Sequence, residues 1–163
     1  MNILDNGKRA EIVAALCEGC GIRATARLTN TDRKTVARLA LQVGIGAAEF
    51  HDRTMTGLRI ARLEMDELWS FVAKKQARVN RHEMFAKGDQ YVYIAMAGTQ
   101  KAIVSFHVGK RDSDNTDQFI RDLRERVIGM PEISTDGFLP YRNAIRDAFG
   151  IALPMASSTR STA

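Results

Sequence analysis

Four carboxylates stand out among the residues that could do chemistry. Three lie in the stretch EMDELWSFV at positions 64–72, and the fourth, Asp136, lies in STDG at positions 134–137. The first stretch alternates like a half-buried strand, yet strands are depleted in Asp and Glu because a buried charge needs a counter-charge or a metal. Carboxylates on two neighbouring strands suit Mg²⁺ or Mn²⁺, which prefer oxygen ligands.

A metal site of this kind cleaves phosphodiesters by activating a water or a 3′-hydroxyl and stabilising the leaving oxygen. Asp66 and Asp136 are therefore the candidate catalytic residues and the candidate metal ligands. The alternative that stays open is an edge-strand acid and an ordinary Asp-Gly turn, both of which occur in proteins without a metal.

The elements that must position these acids follow from periodicity and turn residues. The predicted strands cover residues 59–72, 90–97 and 101–108, with a short fourth strand that ends at Asp136, and the predicted helices cover 113–129 and 140–149. Ser113 or Asp114 is the expected N-cap of the first of these helices, and Gly150 is expected to end the second.

The order of these elements predicts an α/β unit. Three antiparallel strands form a meander, and a helical crossover then returns the fourth strand parallel to the first and beside it. In this arrangement Asp66, midway along the first strand, faces Asp136 at the exit of the fourth.

The N-terminal part of the chain reads as three short helices, over residues 8–19, 22–28 and 31–44, with Thr31 as the N-cap of the third and Gly44 as its stop. A tight turn before the third helix is typical of a helix-turn-helix unit, in which Asn30 tolerates the left-handed turn conformation.

In such a unit, exposed basic residues at the start of the third helix reach phosphates and base edges in a major groove. Arg33, Lys34 and Arg38 are the candidates for this contact. A plain three-helix bundle with a solvated basic face is the alternative.

The charge of the chain agrees with a nucleic-acid partner. The 163 residues carry a net charge of +5, which favours an acidic partner, although an excess of Lys and Arg that serves solubility alone fits the charge equally well. Lys74 and Lys75 open a basic loop over residues 74–89 that is expected to contact DNA phosphates, although a solvated loop fits the pattern equally well. No apolar run is long enough to span a bilayer and no signal peptide is recognisable, so we expect a cytoplasmic protein.

Three stretches resemble the transposases of the insertion-sequence-one type, which are DDE recombinases with an RNase H-like fold. The stretches are MDELWSFVAKK, VGKRDSDNT and STDGFLPYRNAI. The resemblance implies transposition of an insertion sequence by DNA recombination, with Asp66 and Asp136 as the first two members of an acidic triad. It also implies magnesium or manganese as cofactor, double-stranded DNA at element ends and targets as partner, and a homo-oligomer as the working assembly.

Together these features predict four segments. Residues 1–45 form a helix-turn-helix DNA-binding unit, 46–58 a linker, 59–150 a partial RNase H-like catalytic core, and 151–163 an irregular tail. Glu67 neighbours Asp66 but should face away from it, because side chains alternate along a strand.

The chain departs from the family at the third acid. Family members carry a catalytic glutamate on a helix beyond the second aspartate, whereas no glutamate follows Glu132 here, and Asp147 comes too early. The tail composition suggests a truncated or frameshifted C-terminus. The expected function is therefore a transposase impaired by loss of the third acid. The alternatives are a truncated, non-catalytic DNA-binding product that represses transposition, and an unrelated RNase H-like nuclease.

Overall fold

The computed structural model describes residues 4–84 and 86–150 of the chain. These residues fall into two compact units, one ending at Thr54 and the other beginning at Met55. Within the described residues, none of the helices has both the length and the apolar character required to cross a bilayer. The predicted tail at 151–163 lies outside the described residues.

The first unit consists of helices α1 (Asn6–Cys17), α2 (Ile22–Leu28) and α3 (Arg33–Thr54). Each helix contributes one buried side chain to a small common core, namely Ile12, Ala26 and Val36. Partly buried Leu16 and Leu39 pack around these three. The contribution of α2, Ala26, is the smallest of the three buried side chains.

The turn between α2 and α3 confirms one expectation and corrects another. Asn30 adopts a positive φ of 49°, the left-handed conformation expected of it. The N-cap of α3 is Asp32 and not Thr31, because Oδ1 of Asp32 accepts a hydrogen bond from the backbone N–H of Lys34 at 2.8 Å. The Thr31 hydroxyl instead donates to the carbonyl of Thr29.

Helix α3 does not stop at Gly44 but continues to Thr54. The predicted stop and the predicted linker are therefore wrong over residues 46–54. A glycine inside a helix costs only about 1 kcal/mol relative to alanine, and neither Gly44 nor Gly46 takes the positive φ that would end the helix. The helix formers Ala47 and Ala48 follow at once, so propagation continues.

The second unit is a mixed α/β structure around a four-stranded sheet. The strands are β1 (Arg62–Val72), β2 (Gly88–Ala97), β3 (Ala102–Gly109) and β4 (Glu132–Ser134). Their order in the sheet is β3-β2-β1-β4. β1 to β3 form an antiparallel meander and β4 is parallel to β1, which confirms the predicted topology.

Helices α4 (Ser113–Arg126) and α5 (Leu139–Phe149) share one core with Leu63 and Met65 of β1. α4 buries Phe119, Ile120 and Leu123 in this core, and Val127, directly after the helix, is buried there too. Phe119 lies between the rings of Tyr93 and Tyr141, at centroid distances of 5.5 and 6.4 Å. This core supports β1 from one side.

The sequence predicts the end of α5 correctly but not the N-cap of α4. Asp112, and neither Ser113 nor Asp114, caps α4, since its side chain accepts from the backbone N–H of Asn115 at 2.9 Å. Three polar residues in a row all qualify as caps, and only the course of the chain selects one. Gly150 ends α5 with a φ of 70°, as predicted.

Candidate metal centre and basic surfaces

The short length of β4 decides where the candidate acids lie. β4 pairs with β1 only at Arg62, Leu63 and Glu64, and the last pair is Glu64 with Ser134. Two residues beyond this last pair, Asp66 lies on β1 and Asp136 lies in the turn after β4. The parallel register therefore brings the two predicted ligands side by side where the pairing has ended.

Three carboxylates meet at this point, and we call them the acidic cluster: Asp66, Glu67 and Asp136. One oxygen from each lies within 4.8 Å of the others. Asp66 and Asp136 are exposed residues, whereas the side chain of Glu67 is only 3% exposed. Three oxygen donors converging in this way fit a divalent cation such as Mg²⁺ or Mn²⁺.

The presence of Glu67 in the cluster corrects the expectation that it faces away from Asp66. Alternation does place Glu67 on the side of β1 that carries buried Leu63 and Met65. Beyond Glu64, however, β1 has no β4 residue beside it. The longer glutamate side chain can therefore reach around the open edge to the carboxylates of Asp66 and Asp136.

Backbone hydrogen bonds orient the two aspartates. Oδ1 of Asp66 accepts from the backbone N–H of Glu67 at 2.8 Å. Oδ1 of Asp136 accepts from the backbone N–H of Phe138 at 3.1 Å, across a turn in which Gly137 has a φ of 85°. A side chain at this φ would be strained, so the Asp-Gly pair suits the turn.

Arg111 is the cation that faces the acidic cluster. Its guanidinium donates to Oε2 of Glu67 at 3.2 Å and to Oδ2 of Asp136 at 3.1 Å. The same group lies 3.8 Å from the ring centroid of Phe138. Stacking on an aromatic face and bridging two carboxylates hold Arg111 at the cluster.

The segment between β3 and α4 is itself well anchored. The Tyr93 hydroxyl donates to the carbonyl of Lys110 at 2.7 Å. Nζ of Lys110 donates to the carbonyls of Lys87 and Asp89 at 2.8 and 2.7 Å. Arg111 therefore projects from a fixed point of the backbone. Sequence reasoning missed its role, although Arg111 lies in the stretch VGKRDSDNT that carries part of the resemblance.

One oxygen of Glu67 is left over by these contacts. Among the described residues, Oε1 of Glu67 and the hydroxyl of Tyr141 are both buried without a partner in hydrogen-bonding geometry. The two groups are nevertheless close, since burial and then the neighbouring Glu67 carboxylate raise the pKa of Tyr141 far above its usual range. Tyr141 is thus a neutral hydroxyl next to a buried carboxylate.

Two further acids, Glu64 and Asp147, could have served as a third ligand, but both pair with basic residues outside the acidic cluster. Glu64 pairs with Lys101 at 3.3 Å, and Asp147 on α5 pairs with Arg146 at 3.0 Å. Neither belongs to the one group of metal-compatible acids found among the described residues. Within that part of the chain, Glu67 is the third carboxylate.

The predicted DNA contacts of the first unit are exposed. Arg33, Lys34 and Arg38 all lie on the solvent side of α3. Arg33 also lines a cleft together with Arg23 and Arg27 of α2, two residues that sequence reasoning missed. Their spacing of four residues places both on one face of a helix, and this signal was legible in IRATARL.

The predicted contacts in the loop after β1 are partly engaged within the chain. Lys74 and Lys87 both pair with Glu83, and these contacts lower the pKa of Glu83 to about 2. Lys75 lies 5.9 Å from the ring centroid of Trp69. The loop contains two short 3₁₀ turns, Gln76–Arg78 and Arg81–Glu83.

Comparison with known proteins gives no assignment for this chain. No protein-family model matches it, and no curated protein matches it significantly. The function must therefore be argued from the residues of the site.

Proposed function

We propose that this protein is a DNA transposase of the insertion-sequence-one type, a DDE recombinase that acts on the ends of its element with Mg²⁺ or Mn²⁺ bound at the acidic cluster. The observation that carries the proposal is the convergence of Asp66 and Asp136, from a strand and from the turn after its parallel neighbour, with carboxylate oxygens within 4.8 Å. The resemblance assigns catalysis to this same pair.

The topology of the second unit supports an RNase H-like catalytic core. Its meander, crossover helix and parallel fourth strand follow the order β3-β2-β1-β4. In this layout the acid on β1 and the acid after β4 meet at one point of the sheet, whatever their separation along the chain. The strand edge left open by short β4 gives DNA a route to both aspartates.

Asp66 and Asp136 would hold the cation in this proposal. The metal supplies charge for activating a water or a 3′-hydroxyl and for stabilising the leaving oxygen at phosphorus. The chain's own contribution is positioning: backbone N–H groups of Glu67 and Phe138 fix the orientation of the two aspartates. Preorientation of this kind lowers the reorganisation needed during reaction.

The first unit would bind the element ends as a helix-turn-helix. Two observations support this role. Asn30 in the turn has the left-handed conformation, and Arg33, Lys34 and Arg38 of α3 are exposed. Arg23 and Arg27 would add phosphate contacts from α2, since guanidinium groups bind phosphate with paired hydrogen bonds. Lys74 and Lys75 would add further phosphate contacts from the second unit.

A second candidate function is a DNA-binding protein that does not cleave. One observation favours it: Arg111 already pairs with Glu67 and Asp136, so part of the charge in the acidic cluster is compensated within the chain. Such a protein would occupy element ends and repress transposition. The two candidates differ in their need for a divalent cation.

Nicking of a supercoiled plasmid that carries the DNA flanking this gene tests the proposal. We expect cleavage with Mn²⁺ or Mg²⁺, none with EDTA, and none with Asp136→Asn. Asp147→Asn is the matched control, because Asp147 is an exposed acid paired with Arg146 and should leave cleavage intact. Specific binding of this DNA without cleavage under any metal condition would establish the repressor instead.

A further inference from the structure

We propose that Trp69 and Phe71, which we call the aromatic pair, form a stacking surface for unpaired nucleotides of a DNA strand. The surface lies beside the basic loop after β1 and near the acidic cluster. Binding of a single strand here does not depend on the proposed function, whereas the use of that strand in cleavage rests on it. The ligand is recognised by its base rings and its phosphates, without a required sequence.

The aromatic pair is exposed although it lies on the side of β1 that carries the core. Side chains alternate along a strand, so Trp69 and Phe71 share a side with the buried Leu63 and Met65. Nevertheless, Trp69 is 50% exposed and Phe71 is 43% exposed. Large apolar side chains that are exposed next to each other mark an interaction surface.

The geometry of the two rings suits stacking. Their centroids lie 5.8 Å apart, with an angle of 40° between the ring planes. Tyr91 lies directly opposite Trp69 on β2 and is partly buried against the core. The aromatic pair therefore stands on paired strands and not on a free loop. Exposed rings held in this way accept successive bases, because every base has an aromatic face.

The basic loop beside the aromatic pair carries the positive charge that a nucleic acid requires. Residues 73–89 contain five Lys and Arg residues and two acidic residues. Glu83 engages two of the lysines, and Lys75, Arg78 and Arg81 are exposed. An exposed aromatic surface next to excess positive charge fits a phosphate chain with bases better than it fits an apolar protein segment.

The basic loop is held against the aromatic pair. Nζ of Lys75 lies 5.9 Å from the ring centroid of Trp69. The backbone N–H of Gln76 donates to Oδ1 of Asp89 at 3.2 Å, and the backbone N–H of Asp89 donates to Oε1 of Gln76 at 3.1 Å. Asp89 lies opposite Phe71 in the register of β1 and β2. Rings and positive charge are therefore fixed next to each other.

The position of Trp69 along β1 relates this surface to the acidic cluster. Trp69 follows Glu67 by two residues on the same side of the strand, which is a rise of about 7 Å. Nucleotides in a stacked strand are spaced about 3.4 Å apart. A strand with a phosphate at the acidic cluster would thus bring a base about two nucleotides away onto Trp69. Only an opened strand offers its bases in this way, because duplex DNA keeps them inside.

The fluorescence of Trp69 tests this contact directly, because Trp69 is the one tryptophan of the chain. The full chain is titrated with a labelled oligo-dT of about 12 nucleotides and with a duplex of the same length, and the anisotropy of the label measures binding. We expect bound oligo-dT to quench Trp69 and bound duplex to quench it far less. Binding of oligo-dT without quenching, or equal quenching by the duplex, would overturn the inference.

Variants of the second ring test the stacking. Phe71→Leu should weaken binding of oligo-dT by at least about fivefold, because it removes a ring on which a base stacks. Phe71→Tyr keeps a ring and should bind as the natural chain does. Phe106→Leu is the matched control, since Phe106 is 42% exposed but lies on the opposite side of the sheet. Equal losses in Phe71→Leu and Phe106→Leu would contradict the inference.

A further variant keeps the test valid if Phe71→Leu melts at a lower temperature than the natural chain. Lys75→Gln leaves both rings in place and changes an exposed side chain. It should weaken binding of oligo-dT by about two- to threefold and reduce the salt dependence of that binding. Unchanged affinity and unchanged salt dependence in Lys75→Gln would count against a strand on this surface.

Two other results have distinct meanings. If the aromatic pair binds a second copy of this chain, dilution without DNA changes Trp69 fluorescence and dissociates a dimer in sedimentation, and oligo-dT gives no quenching. That result would overturn the inference. Quenching by oligo-dT without nicking of the plasmid would keep the stacking surface and remove the transposase activity. Nicking without quenching would remove the stacking surface alone.

Discussion

Carboxylates meet basic side chains in two regions of the second unit, and the two regions have opposite charge balance. In the loop after β1, one carboxylate, Glu83, lies between Lys74 and Lys87. In the acidic cluster, three carboxylates lie together, and the described residues show Arg111 pairing with two of them, Glu67 and Asp136. The loop has spare positive charge, and the cluster has spare negative charge.

The difference shows which region needs something from outside the chain. Both lysines hold Glu83 in its charged form and lower its pKa to about 2, so its charge is compensated locally. Oε1 of Glu67 is buried beside the Tyr141 hydroxyl, and the acidic cluster as a whole keeps an excess of negative charge. A carboxylate compensated within the chain organises a loop, whereas a cluster with excess negative charge favours a cation.

The largest expected effect is stabilisation by a divalent cation. Mg²⁺ at about 100 times its dissociation constant should raise the free energy of unfolding of the second unit by about 2.7 kcal/mol, because it binds the folded state alone. Denaturant unfolding followed by the fluorescence of Trp69, the one tryptophan of the chain, measures this change.

Two variants make this test a direct comparison of the regions. Asp66→Asn should abolish the stabilisation by Mg²⁺, and Glu83→Gln should leave it intact. Equal stabilisation of natural chain and Asp66→Asn would place the cation somewhere other than the acidic cluster.

The next effect concerns the loop and appears in acid. The pKa of Glu83 is lowered from 4.5 to about 2 by its hydrogen bonds to Lys74 and Lys87. The stability that this carboxylate contributes is fully present above pH 4.5 and is lost as the pH falls towards 2. Glu83→Gln should therefore flatten the dependence of unfolding free energy on pH in this window.

Lys87→Gln provides the intermediate case, because Glu83 keeps its contact with Lys74. Its pH profile should lie between those of the natural chain and Glu83→Gln. A profile for Glu83→Gln as steep as that of the natural chain would show that the two lysines do not hold this carboxylate in solution.

The smallest expected effect is on DNA binding by the loop lysines. Lys75→Ala should reduce the slope of log affinity against log salt by about 1. Lys74→Ala should reduce it less, because Lys74 already pairs with Glu83. Titrations of fluorescently labelled element-end DNA at several salt concentrations measure both slopes.

A contrasting variant in the first unit calibrates this result. Arg33→Ala with Lys34→Ala should lower affinity for element ends by more than affinity for unrelated DNA, since recognition-helix side chains reach base edges. Equal losses on both DNAs would argue against a recognition helix in α3.

The order of strands and the pairing of Asp66 with Asp136 were predictable because they follow from periodicity and connection rules. The left-handed turn at Asn30 and the end of α5 at Gly150 were predictable because few residues adopt positive φ. The N-caps were less predictable, since Thr31 and Asp32 are adjacent and both suit the position. The length of α3 was missed because a single glycine is a weak stop.

By itself, the sequence determined the element types, the topology of the second unit and the two aspartates that meet in it. These features depend on local periodicity and on side chains of fixed type. Only the tertiary structure decided that Glu67 and Arg111 join the acidic cluster. Glu67 reaches the cluster because β4 ends early, and Arg111 reaches it because hydrogen bonds of Lys110 anchor the backbone beside it. Neither cause can be read from the residue types of Glu67 and Arg111.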